Sequence, residues 1–341
     1  MYKLALISGD GIGPEISKAA KSVIQLIHNM YDVKFEIIDV EAGDSVLKNN
    51  EKALPDLSFK VIKNSDVCMK APIGESAADV IVYLRRMLDL YANIRPSKNY
   101  PNIRALKDDI DLVIVRENTE DVYAGLEYDF ENASIAIRLT TKKASTRIAE
   151  YAFKLAKFRN KKKSVVSVHK ANLLRKTDGL FSTTCREISK KYTDIQFSDM
   201  YVDACAMNLI RNPENFDVIV TTNLFGDILS DEAAQVVGSL GIAPAANIGD
   251  NFAIFEPVHG SAPDIAGKGI ANPLSMILSV RMMLDWLAMK NNDNKCVDAA
   301  QKIEDAVTKV LAKGIKTPDI GGNNKTEDVT NTILTELRST Q

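Results

Sequence analysis

Short apolar runs of strand type alternate with segments of helical spacing along most of this chain, and that alternation restricts it to the α/β class. Lys3 to Ser8 is an apolar run closed by Gly9-Asp10-Gly11. Beyond Pro14, the residues Ile16, Ala19, Ala20, Val23, Ile24 and Ile27 recur at the spacing of one helix face. Further strands are expected at residues 33–40, 65–71, 112–116, 135–140, 164–169 and 216–222. Helices are expected over 145–158, where Ser145 can cap, and after Asn272, which caps while Pro273 takes the first turn. No repeat, low-complexity tract or Pro/Gly-rich linker divides the chain, and Lys161-Lys162-Lys163 reads as a solvated turn.

The run from Val218 to Asp231 carries the strongest chemical signal. A buried-type strand ends near Thr222, and a helix beginning near Gly226 would stack Asp227 over Asp231 on one face, two oxygen ligands aimed at one spot. That arrangement suits a hard divalent cation, although two aspartates at this spacing usually form a solvated helix face. Gly9-Asp10-Gly11-Ile12-Gly13-Pro14 does not match G-x-G-x-x-G, so a Rossmann dinucleotide fold is not expected from it, and a plain strand-to-helix turn accounts for the glycines. Arg85, Arg86, Arg95 and Arg116 lie near helix and strand ends, where guanidinium forks could converge on a small di- or tricarboxylate; the bland alternative is surface ion pairing. Lys170, at the end of a strand, could act as a general base and Tyr123 as a proton donor, while His28, His169 and His259 read as structural.

Composition removes several function classes. The 341 residues are 45% hydrophobic and 26% charged, enough for two domains or one large one. A net charge of -2 gives no electrostatic reason to expect nucleic acid or an anionic membrane as partner, and no stretch approaches the ~20 apolar residues of a membrane span. The chain opens on Tyr2-Lys3-Leu4-Ala5 with no leader pattern, and Cys68, Cys185, Cys205 and Cys296 show neither C-x-x-C pairing nor zinc spacing; a cytoplasmic setting is expected.

Taken together, Gly9 to Glu15, Leu84 to Pro96, Val115 to Glu120, His169-Lys170-Ala171-Asn172, Asn223 to Asp231 and Glu256 to Pro273 closely resemble the metal-dependent decarboxylating dehydrogenases that act on isocitrate, 3-isopropylmalate, homoisocitrate and D-malate or tartrate. The matches span nearly the whole chain. The resemblance implies a two-domain fold with a mixed central sheet, residues 1–90 and 239–341 forming a large domain and 91–238 a smaller one with the dimer contacts. It implies that Arg85, Arg95 and Arg116 clamp the malate carboxylates, that Asp203, Asp227 and Asp231 hold Mg²⁺ or Mn²⁺, and that Lys170 and Tyr123 transfer protons. In this family the active site lies at a homodimer interface, so Lys170 and Asp203 are expected to serve the site of a second copy.

The resemblance also points to NAD. Ile12, Glu256, His259, Gly260, Ser261, Ala262, Asp264 and Asn272 fall in the cofactor segments, and a carboxylate at Asp264 suits ribose hydroxyls and repels a 2′-phosphate. For the substrate, Ile81 and Val82 stand where homoisocitrate and isocitrate members usually carry polar or basic residues, and they offer an apolar wall fitting an isopropyl group. Ordinary core packing would also explain both. Ala78 replaces a glutamate frequent in bacterial isopropylmalate members, and residues 84–96 and 203–223 read like homoisocitrate members, so homoisocitrate or isocitrate remains the alternative. A non-catalytic nucleotide or carboxylate binder on the same fold would lack a ligand or proton donor, and none is missing.

Overall fold

The computed structural model describes residues 1–339. Its strands are β1 (Tyr2–Ile7), β2 (Phe35–Val40), β3 (Val67–Lys70), β4 (Ala92–Lys98), β5 (Asp111–Glu117), β6 (Glu127–Phe130), β7 (Ala133–Ala136), β8 (Ser164–His169), β9 (Gln196–Tyr201), β10 (Val218–Thr221), β11 (Pro244–Ile248) and β12 (Ala253–Pro257). The helices are α1 (Gly13–Met30), α2 (Asp44–Leu47), α3 (Asp56–Lys63), α4 (Asp79–Met87), α5 (Lys142–Arg159), α6 (Thr177–Ser189), α7 (Val202–Arg211), α8 (Asn223–Val236), α9 (Leu274–Asn291), α10 (Asn294–Ala312) and α11 (Thr326–Ser339).

A 10-stranded sheet in the order β2-β1-β3-β12-β11-β4-β5-β10-β8-β9 runs through the molecule. The pairings either side are parallel, whereas β12 with β11, β11 with β4, and β4 with β5 are antiparallel, so the sheet is mixed as expected. The alternation of strand residues then separates two faces with different consequences. On one face Leu4, Met69, Phe255, Ala246, Ile94, Val115 and Val220 join a single apolar core with α1, α5, α6, α9, α10 and α11. On the other face the core is interrupted. Ile7, Cys68 and Ile254 pack under α3 and α4; Ile114, Val168 and Ile219 pack under α7 and α8. Between these two cores the same pleat positions are polar and buried: Lys70, Glu256, Asn247, Asn93, Arg95 and Arg116. Asn247 is in register with Asn93, and Asn93 with Arg116, so the row crosses the sheet at its antiparallel centre.

Local differences from the sequence reading have local causes. Helix α5 starts before Ser145 because Thr141 takes the cap, its hydroxyl accepting from the Ala144 N–H at 3.1 Å. Asn272 does accept from the Leu274 N–H at 3.0 Å, with Pro273 at the cap of α9. The strand expected at 135–140 stops at Ala136, since Arg138 turns inward and Leu139 forms a lone bridge to Asp121. Strands β6 and β7 form a separate two-stranded arm exposed on both faces. No described helix is long and apolar enough to cross a membrane. On the continuous face a gap of 130 Å³ remains between α5 and α9, lined by Tyr151, Phe158, Trp286 and Met289 among others.

Candidate active site

The polar row becomes a site because helices α4 and α8 bring further charges over it. Arg85, in the last turn of α4, is buried, and its Nε donates to Asn247 Oδ1 at 2.9 Å while a second nitrogen lies 3.5 Å from Glu256. Asn247 Oδ1 also accepts from Asn93 at 2.9 Å and Asn118 at 3.0 Å, and its Nδ2 donates to Glu256 at 2.7 Å. Glu256 closes the network on Lys70 at 2.8 Å. A buried arginine needs such a chain of partners, since an uncompensated guanidinium in this environment costs several kcal/mol.

Arg95 projects from β4 to Asn93 at 2.8 Å, Ser230 at 2.7 Å, Asp231 at 3.1 Å and Asp227 at 3.2 Å. Arg116, from β5, donates to Asn223 Oδ1 at 2.9 Å and to Asp227, while its Nη2 is buried with no hydrogen-bond partner. Tyr123 donates its hydroxyl to Asp227 Oδ2 at 2.6 Å and lies under the Arg116 guanidinium, whose carbon is 5.0 Å from the ring centre. Helix α8 begins at Asn223, with Thr222 before it, and so places Asp227 and Asp231 on one face, as the spacing implies. The sequence thus brings Arg85, Arg95, Arg116, Tyr123, Asp227 and Asp231 together.

Electrostatics follow from crowding. Burial and the neighbouring Arg95 and Arg85 bring the Arg116 guanidinium down to about 9. Burial also lowers Arg85, opposed by Glu256. Burial alone would raise Asp227, but Arg116 and Arg95 outweigh it and hold the carboxyl below its usual range. Asp231 is raised by burial despite Arg95. Burial and the Asp227 carboxylate raise the Tyr123 hydroxyl, which therefore keeps its proton at neutral pH. Three guanidiniums and an unsatisfied Nη2 meeting two aspartates make a cradle suited to a compact dianion.

Lys170 and Asp203 are elsewhere on the chain. They pair with each other at 2.7 Å, and among the described residues no three acidic, histidine or cysteine side chains converge as a metal-binding group. Two of the segments expected to hold the cofactor meet: Ile12 N–H donates to Ser261 O at 2.8 Å, and a Cβ on Gly11 would lie 2.0 Å from that oxygen. Gly260 has open space where a side chain would stand, Ala262 adopts φ 37°, and Asp264 is exposed in the short turn that follows. His259 is held to Gly260 O at 3.0 Å, and burial lowers its imidazole. Asn272 donates to Asp319 at 3.0 Å. Glu256 sits apart from this loop, committed to Lys70, Asn247 and Arg85 beneath the arginines. On α4, Ile81 is half-buried against the core under that helix, whereas Val82 is half-buried outside that cluster. His28 is a structural residue, accepting from the Phe35 N–H at 3.2 Å.

Lys70, Asn93, Asn118 and Asn247 were not singled out by sequence. The available signal was a polar residue interrupting an otherwise apolar strand, as in Ala92-Asn93-Ile94 and Ala246-Asn247-Ile248.

Comparison with known proteins agrees with this geometry. Residues 3–333 match the family model described as isocitrate/isopropylmalate dehydrogenase. The chain is 49% identical over 338 residues to the 3-isopropylmalate dehydrogenase of Sulfurisphaera tokodaii, covering 98% of this chain and 99% of that protein. It is also 49% identical to the 3-isopropylmalate dehydrogenase of Archaeoglobus fulgidus, covering 99% of this chain and 100% of that one. The crystal structure of isocitrate dehydrogenase from Methylococcus capsulatus superposes with a TM-score of 0.92 at 42% identity, covering 99% of this chain and 100% of that one.

Proposed function

The chain belongs to the isocitrate/isopropylmalate dehydrogenase family, and from that membership we propose that it oxidises and decarboxylates 3-isopropylmalate to 2-oxo-4-methylpentanoate and CO₂, using NAD and Mg²⁺ or Mn²⁺, in leucine biosynthesis. The observation that carries the reading is the buried arginine cluster beside α4, where Ile81 and Val82 stand four and three residues before Arg85. The carboxylates of malate find guanidiniums, and Val82, three residues before Arg85, offers an additional distal carboxylate no cation of its own. The 49% identity to 3-isopropylmalate dehydrogenases supports the same choice.

The residues present fit both groups that the family implies. Asp227 and Asp231 offer hard oxygen donors from one helix turn, and Asp203 of a second copy would add a third. Asp264, exposed beside the open Gly260, fits ribose hydroxyls. When bound, the ion would supply Lewis-acid stabilisation of negative charge on oxygen and the nicotinamide a hydride acceptor. The protein does the rest. Arg85, Arg95 and Arg116 hold the malate carboxylates and fix the hydroxyl-bearing carbon. Lys170 from a second copy accepts the hydroxyl proton, and Tyr123, kept protonated and oriented by Asp227, delivers a proton to the carbon that CO₂ leaves.

We assign residues 1–90 and 239–341 to a large domain and 91–238 to a small one, which close on the substrate from the interrupted face of the sheet. A homodimer with shared sites is supported by Lys170 and Asp203 pairing with each other rather than grouping with Asp227 and Asp231 among the described residues, and by the arm, whose Tyr128, Phe130 and Ile135 are 53%, 60% and 49% exposed. Four free, buried cysteines support a reducing, cytoplasmic setting.

Initial rates of NAD reduction with Mg²⁺ or Mn²⁺ on 3-isopropylmalate, homoisocitrate and isocitrate, side by side, test the reading. We expect kcat/KM to favour 3-isopropylmalate by at least about tenfold, with all activity lost to a chelator. Preference for isocitrate would favour the second reading, which the 0.92 TM-score to an isocitrate dehydrogenase and the packing of Ile81 against the core support.

A further inference from the structure

Arg138 follows the arm, between β7 and α5, and its guanidinium is enclosed by partners from three other segments. Its Nη2 donates to Asp121 Oδ2 at 3.0 Å and to Thr222 Oγ1 at 2.7 Å, its Nε lies 2.8 Å from Asp121 Oδ1, and Nη2 is 3.4 Å from Asp178 Oδ1. Its planar face covers Phe225, 4.5 Å from the ring centre. Asp121, Asp178 and Thr222 are buried.

Each partner is tied to a segment that carries a site residue. Asp121 opens the turn that holds Tyr123: its carboxylate accepts from the Val122 N–H at 2.9 Å and from the Leu224 N–H at 3.0 Å. Its own backbone is at φ 69° and ψ -149°, a conformation a non-glycine residue keeps only when its surroundings impose it. Asp178 accepts from the Lys170 N–H at 2.6 Å and so fixes the end of β8. Thr222 precedes α8, the helix of Asp227 and Asp231. Two buried carboxylates facing one guanidinium leave the cluster dependent on that cation.

We propose that Arg138 is a positioning residue for the reaction, one fork that fixes the Tyr123 turn, the Lys170 strand end and the start of α8 relative to one another. The proposal rests on the function given above, in which Lys170 completes the site of a second copy. Arg138 then acts on two sites: its own through Tyr123 and Asp227, and the neighbouring one through Lys170. It touches neither substrate nor cofactor.

Arg138→Lys keeps the charge but cannot fork between Asp121, Asp178 and Thr222. In the full-length enzyme we expect kcat to fall about tenfold or more, with the substrate KM within about twofold, because Arg85 is anchored on Asn247 and Glu256, away from that fork. Thr222→Val leaves the charges in place and should lower kcat in the same direction by a smaller factor, which keeps the test decisive if the lysine variant melts early. A raised KM with unchanged kcat in both variants would overturn the proposal.

Mixed dimers test the two-site reach. Subunits of Lys170→Met and Asp227→Asn, combined, should regain activity through one intact site; no recovery would sink the shared-site reading whatever Arg138 does. With recovery established, a dimer of one wild-type and one Asp227→Asn subunit should keep about half of the wild-type rate. One wild-type and one Arg138→Lys subunit should keep well under half, since both sites are damaged. Half or more would confine Arg138 to its own site and overturn the two-site claim.

Discussion

Tyr123 and Glu256 show how single side chains are set to opposite tasks. Tyr123 meets solvent and a carboxylate; Tyr123→Phe removes its proton and its bond to Asp227, and we expect kcat to fall by about 10²–10⁴ with little change in substrate KM, read from steady-state rates. Glu256 is sealed under the arginines, where Lys70 and Arg85 overcome its burial and bring the carboxyl down to about 2. Its folded value lies below the unfolded one of ~4.3, so its contribution to stability is complete above that pH and is lost as pH falls through about 2. Glu256→Gln should flatten this acid limb in denaturant melts across pH. It should also destabilise the fold by about 3–5 kcal/mol at pH 7, because Lys70 is left buried and unpaired.

Helix α8 carries the most information per residue and shows what a sequence can reveal. The stacking of Asp227 on Asp231 was legible because helix geometry is local. The tight approach behind it was not. A Cβ on Gly226 would lie 2.5 Å from Arg116 Cγ and 2.7 Å from its Cβ, a side-chain root that cannot swing aside. Gly226→Ala gains up to about 1 kcal/mol of helix propensity and meets an overpacking cost of about 1–3 kcal/mol, so the clash wins. Melting temperature should drop and substrate KM rise as Arg116 is displaced. The Asn247 network was hidden for a related reason: Arg85 and Asn247 are 162 positions apart, and only the sheet order makes them neighbours. Arg138 was hidden too, lying inside a stretch that alternates like a strand, and only its burial between Asp121 and Asp178 reveals it. The arginine clamp came from resemblance, since three arginines in a sequence carry no direction of their own.

At the scale of the whole molecule, the proposed homodimer makes the exposed arm a determinant of catalysis. Phe130→Asp replaces an exposed aromatic ring of that arm with a charge and should shift sedimentation toward monomer, with specific activity falling as the enzyme is diluted. The sheet itself is clad unequally, with one unbroken core behind and two separate cores in front. In the proposed closure, bringing α4 and α8 together over a substrate splays the rear, where α5 and α9 face each other across the 130 Å³ gap. On that closure the rear cladding would act as a spring with a stop: compression limits how far the mouth opens, and lost apolar contact pulls back against closing. Part of the attraction between arginines and carboxylates is spent as mechanical work on that spring, so measured affinity will understate how strongly the closed site holds its substrate.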